Sequence, residues 1–266
     1  MAGFFGLFNY DREGPGVEKN APKKKSFIVF FELLFKNFWK LAVNSIWYWM
    51  LTIFLPTSGL AAAGITNITR NMAIDRHSFG THDFFDTIKK NWKQALPAGI
   101  INTIIIAFLV WDIYFFYTYS EGAISLVCIA ICATVLLVFL MMRYYIWVIL
   151  ISFKLKLKEI YINSFKLSLV GLKSNLVIFL GMVLIYAICF GLFWVNVKIT
   201  LFLLVLIVLF FLPGYRFLLI QFNVFKNIKK YMIDPYYSEH PDEDIELRRG
   251  LGLLDGEDRY DESDLL

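Results

Sequence analysis

Cysteine and histidine are scarce in this chain. Its 266 residues hold three of each, and Cys128, Cys132 and Cys189 all fall inside apolar runs, where a thiol behaves as a small buried hydrophobe. Cys128 and Cys132 share a helix face, and the structural reading of that pair outweighs a redox or metal one. His77, His82 and His240 form no H-E-x-x-H arrangement, and no Cys or carboxylate cluster has metal-ligand spacing. There is also no G-x-x-x-x-G-K-[ST], no G-x-G-x-x-G and no G-x-S-x-G. The glycines of "DREGPGVEK" flank a proline and read as an extended turn. His82, Asp83 and Asp86 cluster in "THDFFD", but acids belong in a first helical turn, with Thr81 or Asp83 as the cap. These absences argue against an enzyme and call for no metal or cofactor.

What the chain has in abundance is apolar surface. Hydrophobic residues make up 58% and aromatics 18%, with a mean hydropathy of +0.60, where soluble proteins average roughly 45–50% apolar. The runs at 98–119, 123–142 and 199–215 are 22, 20 and 17 residues long, which suits a bilayer core of about 30 Å. The expected fold class is all-α: a polytopic membrane helix bundle of about six transmembrane helices, arranged as three helical hairpins with cytoplasmic amphipathic helices. The spans expected are 41–55, 58–73, 95–117, 123–145, 176–194 and 199–218. "SGLAAAG" resembles a signal-cleavage region, but about forty residues precede the first run, so it is read as an uncleaved span. The second span is the weakest, its small residues fitting either a helix pressed against neighbours or a partial, re-entrant one.

Charge sets the orientation. Residues 1–230 carry 23 Lys and Arg against 10 Asp and Glu, a balance of +13, whereas 231–266 carry 3 against 12, a balance of −9. The loops 56–59, 118–122 and 195–198 hold only Lys198 among basic residues, and segments 1–40, 70–93, 154–173 and 226–230 hold nearly all the rest. By the positive-inside rule both termini are cytoplasmic. Three regions follow: a cytoplasmic N-terminal segment 1–25, a membrane bundle 26–230 and an acidic cytoplasmic tail 231–266, read as mostly disordered with "DIELRRGLGLL" as a possible docking helix. The basic balance belongs to membrane topology, so lipids and not nucleic acid are the expected partners.

A phrase recurs. "FFELLFKNFWK" at 30–40 and "FFDTIKKNWK" at 84–93 share two aromatics, an acid, a lysine, an asparagine and a Trp-Lys pair. Glu32 and Lys36, like Asp86 and Lys90, stand four apart with the acid first, the favourable order on a helix. With Asn37, Trp39, Lys40, Asn91, Trp92 and Lys93 they form candidate interfacial helices that a partner's loop could also read. A fainter copy at 165–176 adds Asn175. Pro56, Gly59, Ala62 and Gly64 form a candidate close-packing turn. Asp112 falls near an outer helix end, and Arg143 and Arg216 near inner ends; the arginines either snorkel to headgroups or face each other as a site for an anionic lipid or solute.

The pieces "FNYD", "GPGV", "FKNFWKLAVNSIWYWMLTIFLPTSGLAAAGITNITRNMA" and "KNWKQ" resemble the YesL-like family of bacterial integral membrane proteins, a family of unknown function, over about residues 1–105. The proline usual before the family's fifth span is replaced here by "LKSNLVIF". The resemblance implies a Gram-positive plasma-membrane protein and supplies no catalytic residues. Genes of the family often neighbour those of carbohydrate ABC importers, which implies an accessory subunit or an assembly or regulatory partner of such an importer. The alternative is a stand-alone solute or lipid carrier.

Overall fold

The computed structural model describes residues 25–74, 76, 78–195 and 197–239, without the side chains of 195 and 197–199. The "FNYD" and "GPGV" pieces, His77, His240, the side chain of Lys198 and most of the acidic tail lie outside the described residues. Regular structure among the described residues is helical throughout: α1 (Ser26–Lys36), α2 (Phe38–Thr52), a 3₁₀ turn (Leu55–Thr57), α3 (Ser58–Ala73), α4 (Thr81–Tyr119), α5 (Ala123–Ser152), α6 (Leu157–Val170), α7 (Leu172–Val195), α8 (Val197–Leu206), α9 (Leu212–Ile228) and α10 (Asp234–Glu239). Two π turns, Ile207–Phe211 and Lys229–Ile233, join the last three helices. The segment expected to be tail from 231 is therefore helical as far as Glu239.

Four stretches are long and apolar enough to cross a membrane: Thr81–Tyr119, Ala123–Ser152, Leu172–Trp194 and Thr200–Glu239. They correspond to the last four of the six expected spans. The first two expected spans became α2 and α3, of 15 and 16 residues, which rise only about 22 and 24 Å against a core of about 30 Å.

The interior is organised around α3, which packs against α2, α4, α5 and α9. Its residues at 59, 61–66, 68, 69 and 71–73 are buried around the whole helix circumference. Small side chains make this possible. A Cβ built on Gly59 would lie 2.1 Å from the Ala95 carbonyl oxygen and 2.7 Å from Gly99 Cα, so α3 and α4 touch backbone to backbone. A Cβ on Gly64 would meet the Phe84 ring at 2.8 Å. Glycine is required at both places by close approach and not by backbone angle. Ala62 is buried beside them, while Pro56 is exposed and opens the 3₁₀ turn. Thr57 closes that turn by donating its hydroxyl to the carbonyls of Leu51 and, at 2.8 Å, Phe54.

The recurring phrases adopt different structures. The first breaks at Asn37, whose side-chain amide donates to the Leu33 carbonyl at 3.0 Å, so it is split between α1 and α2. The apolar side of α1 packs on protein: Phe30 meets the rings of Tyr215 and Phe222 at 5.9 and 5.7 Å. The second phrase stays unbroken inside the 39-residue α4, which runs through Pro97 into the apolar segment. It is the start of a long helix and not a separate interfacial one. The third breaks at Gly171, between α6 and α7.

A candidate anion site where the helices converge

Five elements meet at one narrow cleft, bounded by Tyr48 of α2, Ser58 and Ala62 of α3, Asn102 and Thr103 of α4, Arg143 and Tyr144 of α5, and Arg216 of α9. Arg143 and Arg216, read from the sequence either as snorkelling or as facing each other, both line this cleft. Their like charges repel. Among the described residues, no carboxylate lies within ion-pair distance of either guanidinium. Arg216 lies over the ring of its neighbour Phe217, 5.7 Å from the centroid. Arg143 Nε is buried without a hydrogen-bond partner.

Asn102 adds the second half of the arrangement. It is only 2% exposed, and neither its amide nitrogen nor its oxygen has a hydrogen-bond partner. A buried amide left unpaired costs about 1–3 kcal/mol, and the two half-buried guanidinium groups bring like charge to the same cleft. An anion accepting hydrogen bonds from the guanidinium and amide N–H groups would offset that like charge and pair the Asn102 amide nitrogen, though not its oxygen. Asp112 is ten residues farther along α4, about 15 Å away.

Nothing in the sequence singles out Asn102, a polar residue inside the third expected span. The signal that would have marked it is its place three residues after Gly99, on the helix face that Gly59 draws close.

The other expected residues fall elsewhere. Asp86 and Lys90 form an ion pair of 2.7 Å on the outer face of α4, and Lys93 lies 6.0 Å from the Trp92 ring centroid. Lys90, Asn91 and Lys93 border a second cleft with Lys154 and Lys156, held in place by Gln94 donating to the Leu155 carbonyl at 3.0 Å. Glu32, Lys36 and Trp39 are exposed on α1 and α2, and Lys40 donates to the Ser78 carbonyl at 3.1 Å. The N-cap of α4 is Gly80 and neither Thr81 nor Asp83 caps the helix; Asp83, inside the first turn, accepts from the Phe79 N–H at 2.9 Å and the Ser78 hydroxyl at 3.0 Å. His82 is exposed beside it, 3.8 Å away, and builds no acid–base group with Asp86.

Two polar networks tie the helix ends opposite the α4–α5 turn. Tyr145 donates to Asn175 at 3.1 Å and accepts from Asn227 at 3.0 Å, while Asn175 donates to the Ser168 carbonyl at 2.8 Å. Gly171 leaves the space for this, since a Cβ there would lie 2.1 Å from the Tyr145 hydroxyl. In the other, Arg70 donates to Ser152 at 2.7 Å and Asn67 at 3.0 Å, and Asn67 donates to Thr87 at 2.8 Å. Burial, reinforced by Arg76, pushes the Arg70 guanidinium down to about 10, which leaves it charged at neutral pH.

Comparison with curated proteins gives no match, and neither does comparison with solved structures. Residues 41–113, from α2 to within α4, match the family model described as "Protein of unknown function, DUF624", the family that includes YesL-like proteins, so the resemblance read from the sequence is shown over that segment.

Proposed function

We propose that this is a non-catalytic integral membrane protein that holds an anionic group, the phosphate of a lipid or of a free solute, between Arg143 and Arg216. One observation carries the reading: two guanidinium groups without a described carboxylate partner share a cleft with a buried, unpartnered Asn102 amide. The protein would sit in the plasma membrane. Both chain ends fall on the same side for four crossings or for six, and the lysine distribution makes that side cytoplasmic.

The test is thermal unfolding of the full chain in neutral nanodiscs, with inorganic phosphate or with phosphatidylglycerol added. An anion at a hundred times its Kd stabilises by about 2.7 kcal/mol. That gain should vanish in Arg143→Gln and in Arg216→Gln. A gain with phosphate identifies a free anion as sufficient, and a gain with phosphatidylglycerol alone identifies the lipid headgroup. No gain with either sinks the proposal.

The accessory role beside a carbohydrate importer is the second reading. Its support is the family resemblance together with an apolar stripe left uncovered along α2, where Trp39 is 78% and Met50 53% exposed. Purification from native membranes decides it, since persistent absence of transporter subunits removes its basis.

A further inference from the structure

The second cleft gathers positive charge that little around it cancels. Lys90 and Lys93 of α4 line it together with Lys154 and Lys156 from the connection 153–156 between α5 and α6. Gln94, donating to the Leu155 carbonyl at 3.0 Å, fastens one side to the other, so the lysines are mounted on a fixed backbone frame. Lys90 is paired with Asp86 at 2.7 Å. Among the described residues, no carboxylate lies within ion-pair distance of Lys93, Lys154 or Lys156, and all three are exposed. Ammonium groups spread along the rim of an open cleft suit a ligand with several separated negative charges better than one small anion.

The cleft stands clear of the hydrocarbon. From Gly99 to Tyr119 on α4, and from Ala123 to Arg143 on α5, is twenty residues of helix each, about 30 Å or one bilayer core. Lys93 and Lys90 precede Gly99 by six and nine residues on the same helix, about 9 and 13 Å farther out. The headgroup layer adds only about 5–7 Å to each side of the core. Lipid phosphates therefore fall short of the lysines, and a ligand carried in water reaches them.

The chain itself contains such a ligand. Residues 255–264 hold six acids, Asp255, Glu257, Asp258, Asp261, Glu262 and Asp264, against Arg259 alone, a balance of −5. They lie beyond Glu239, the last described residue. Glu239 is on the cleft's side of the apolar belt: twelve residues before it, Asn227 donates to the Tyr145 hydroxyl at 3.0 Å, and Tyr145 is seven residues from the end of α5 at Ser152. Laid end to end, these steps put Glu239 within about 50 Å of Lys154. Asp261 is twenty-two residues past Glu239, a length of chain that extends to about 70 Å. Tethering also gives the segment an effective concentration in the millimolar range, so pairs that are weak singly suffice.

We propose that the acidic segment 255–264 docks in the lysine cleft between α4 and the α5–α6 connection, setting its carboxylates against Lys93, Lys154 and Lys156. The docking does not involve Arg143 or Arg216, so its failure leaves the anion site untouched.

The test uses the full chain with Cys128, Cys132 and Cys189 replaced by alanine and two cysteines introduced by Lys158→Cys and Ser263→Cys, one chain per nanodisc of neutral lipid at low salt. A short bis-maleimide should join the two cysteines. Adding Lys93→Glu and Lys154→Glu should slow the joining about tenfold, because two exposed pairs worth a few-fold each are lost. Adding Asp258→Lys, Asp261→Lys and Glu262→Lys to that chain should restore the rate. Should the melting temperature show that the lysine reversals disturb folding, Lys93→Gln with Lys156→Gln takes their place and should also slow the joining. A rate that the lysine substitutions leave unchanged overturns the proposal, as does a rate that the reversed tail fails to restore. Phosphatidylglycerol in the disc should leave the joining intact; its loss there assigns the cleft to lipid headgroups and overturns the tail as occupant.

Discussion

Gly59→Ala places a single methyl group where two helix backbones already touch. The added carbon would sit 2.1 Å from the Ala95 carbonyl oxygen and under 2.9 Å from Gly99, where ordinary contact begins at 3.4 Å. All three atoms are backbone, so no side-chain rotation relieves the clash. Helices α3 and α4 must separate by about 1 Å, and overpacking of that kind costs about 1–3 kcal/mol, with the upper end expected here. Alanine recovers about 1 kcal/mol over glycine within a helix, leaving a net loss of about 2 kcal/mol. Gly191→Ala is the matched control: nothing lies within 4 Å of its added carbon, so only the propensity gain remains. Thermal unfolding of both variants in one detergent should separate them by about 3 kcal/mol. Gly99→Ala strains the same contact from the other side, so the double variant should lose less than the sum. Equal stability of Gly59→Ala and Gly191→Ala would refute the close crossing of α3 and α4.

Tyr145→Phe removes the hydroxyl shared by Asn175 and Asn227, and about 1–3 kcal/mol should be lost as those amides go unpaired, measurable in the same melts. Asp83→Ala deletes the acceptor for Phe79 N–H and Ser78 and should cost about 1 kcal/mol, with hydrogen exchange rising first at residues 78–84. Asp86→Asn breaks an exposed ion pair on α4, and the melting temperature should stay unchanged within error because solvent screens such pairs. Trp49→Phe leaves the Val208 carbonyl without its indole donor; exchange should rise at 207–213, whereas equal protection would show that the bond carries no weight.

The four long helices were legible because their apolar runs match a bilayer in length, a property that needs no tertiary information. The role of small residues was legible too: Gly59 and Gly64 stand where helices press together. What sequence reasoning read differently was depth. Residues 41–55 are hydrophobic enough for a span, and only the contact of Gly59 with Gly99 reveals where the hairpin turns relative to the other helices. The recurring phrase misled for a related reason. Composition fixes which face of a helix is polar, but the break at Asn37 and the continuity through Asn91 depend on neighbours: Phe84 is anchored under Gly64, and no such anchor holds α1 to α2 in one line. Topology placed Arg143 and Arg216 near the same ends of their helices and left open whether they face each other, whereas the orphaned Asn102 amide became visible only when burial was known.

The complete enclosure of α3 carries a consequence for how the chain is made. Ala61, Ala63, Ile65, Thr66, Ile68 and Thr69 have no exposed surface, so the helix has no face to offer lipid while it waits for its neighbours. One wall, α2, precedes it on the ribosome, but α9 is synthesised about 140 residues later. During that interval the threonines and asparagines of α3 lack their final surroundings, and a nascent chain stopped before Leu212 never acquires them. The enclosure of the third helix is therefore complete only once the last one is in place.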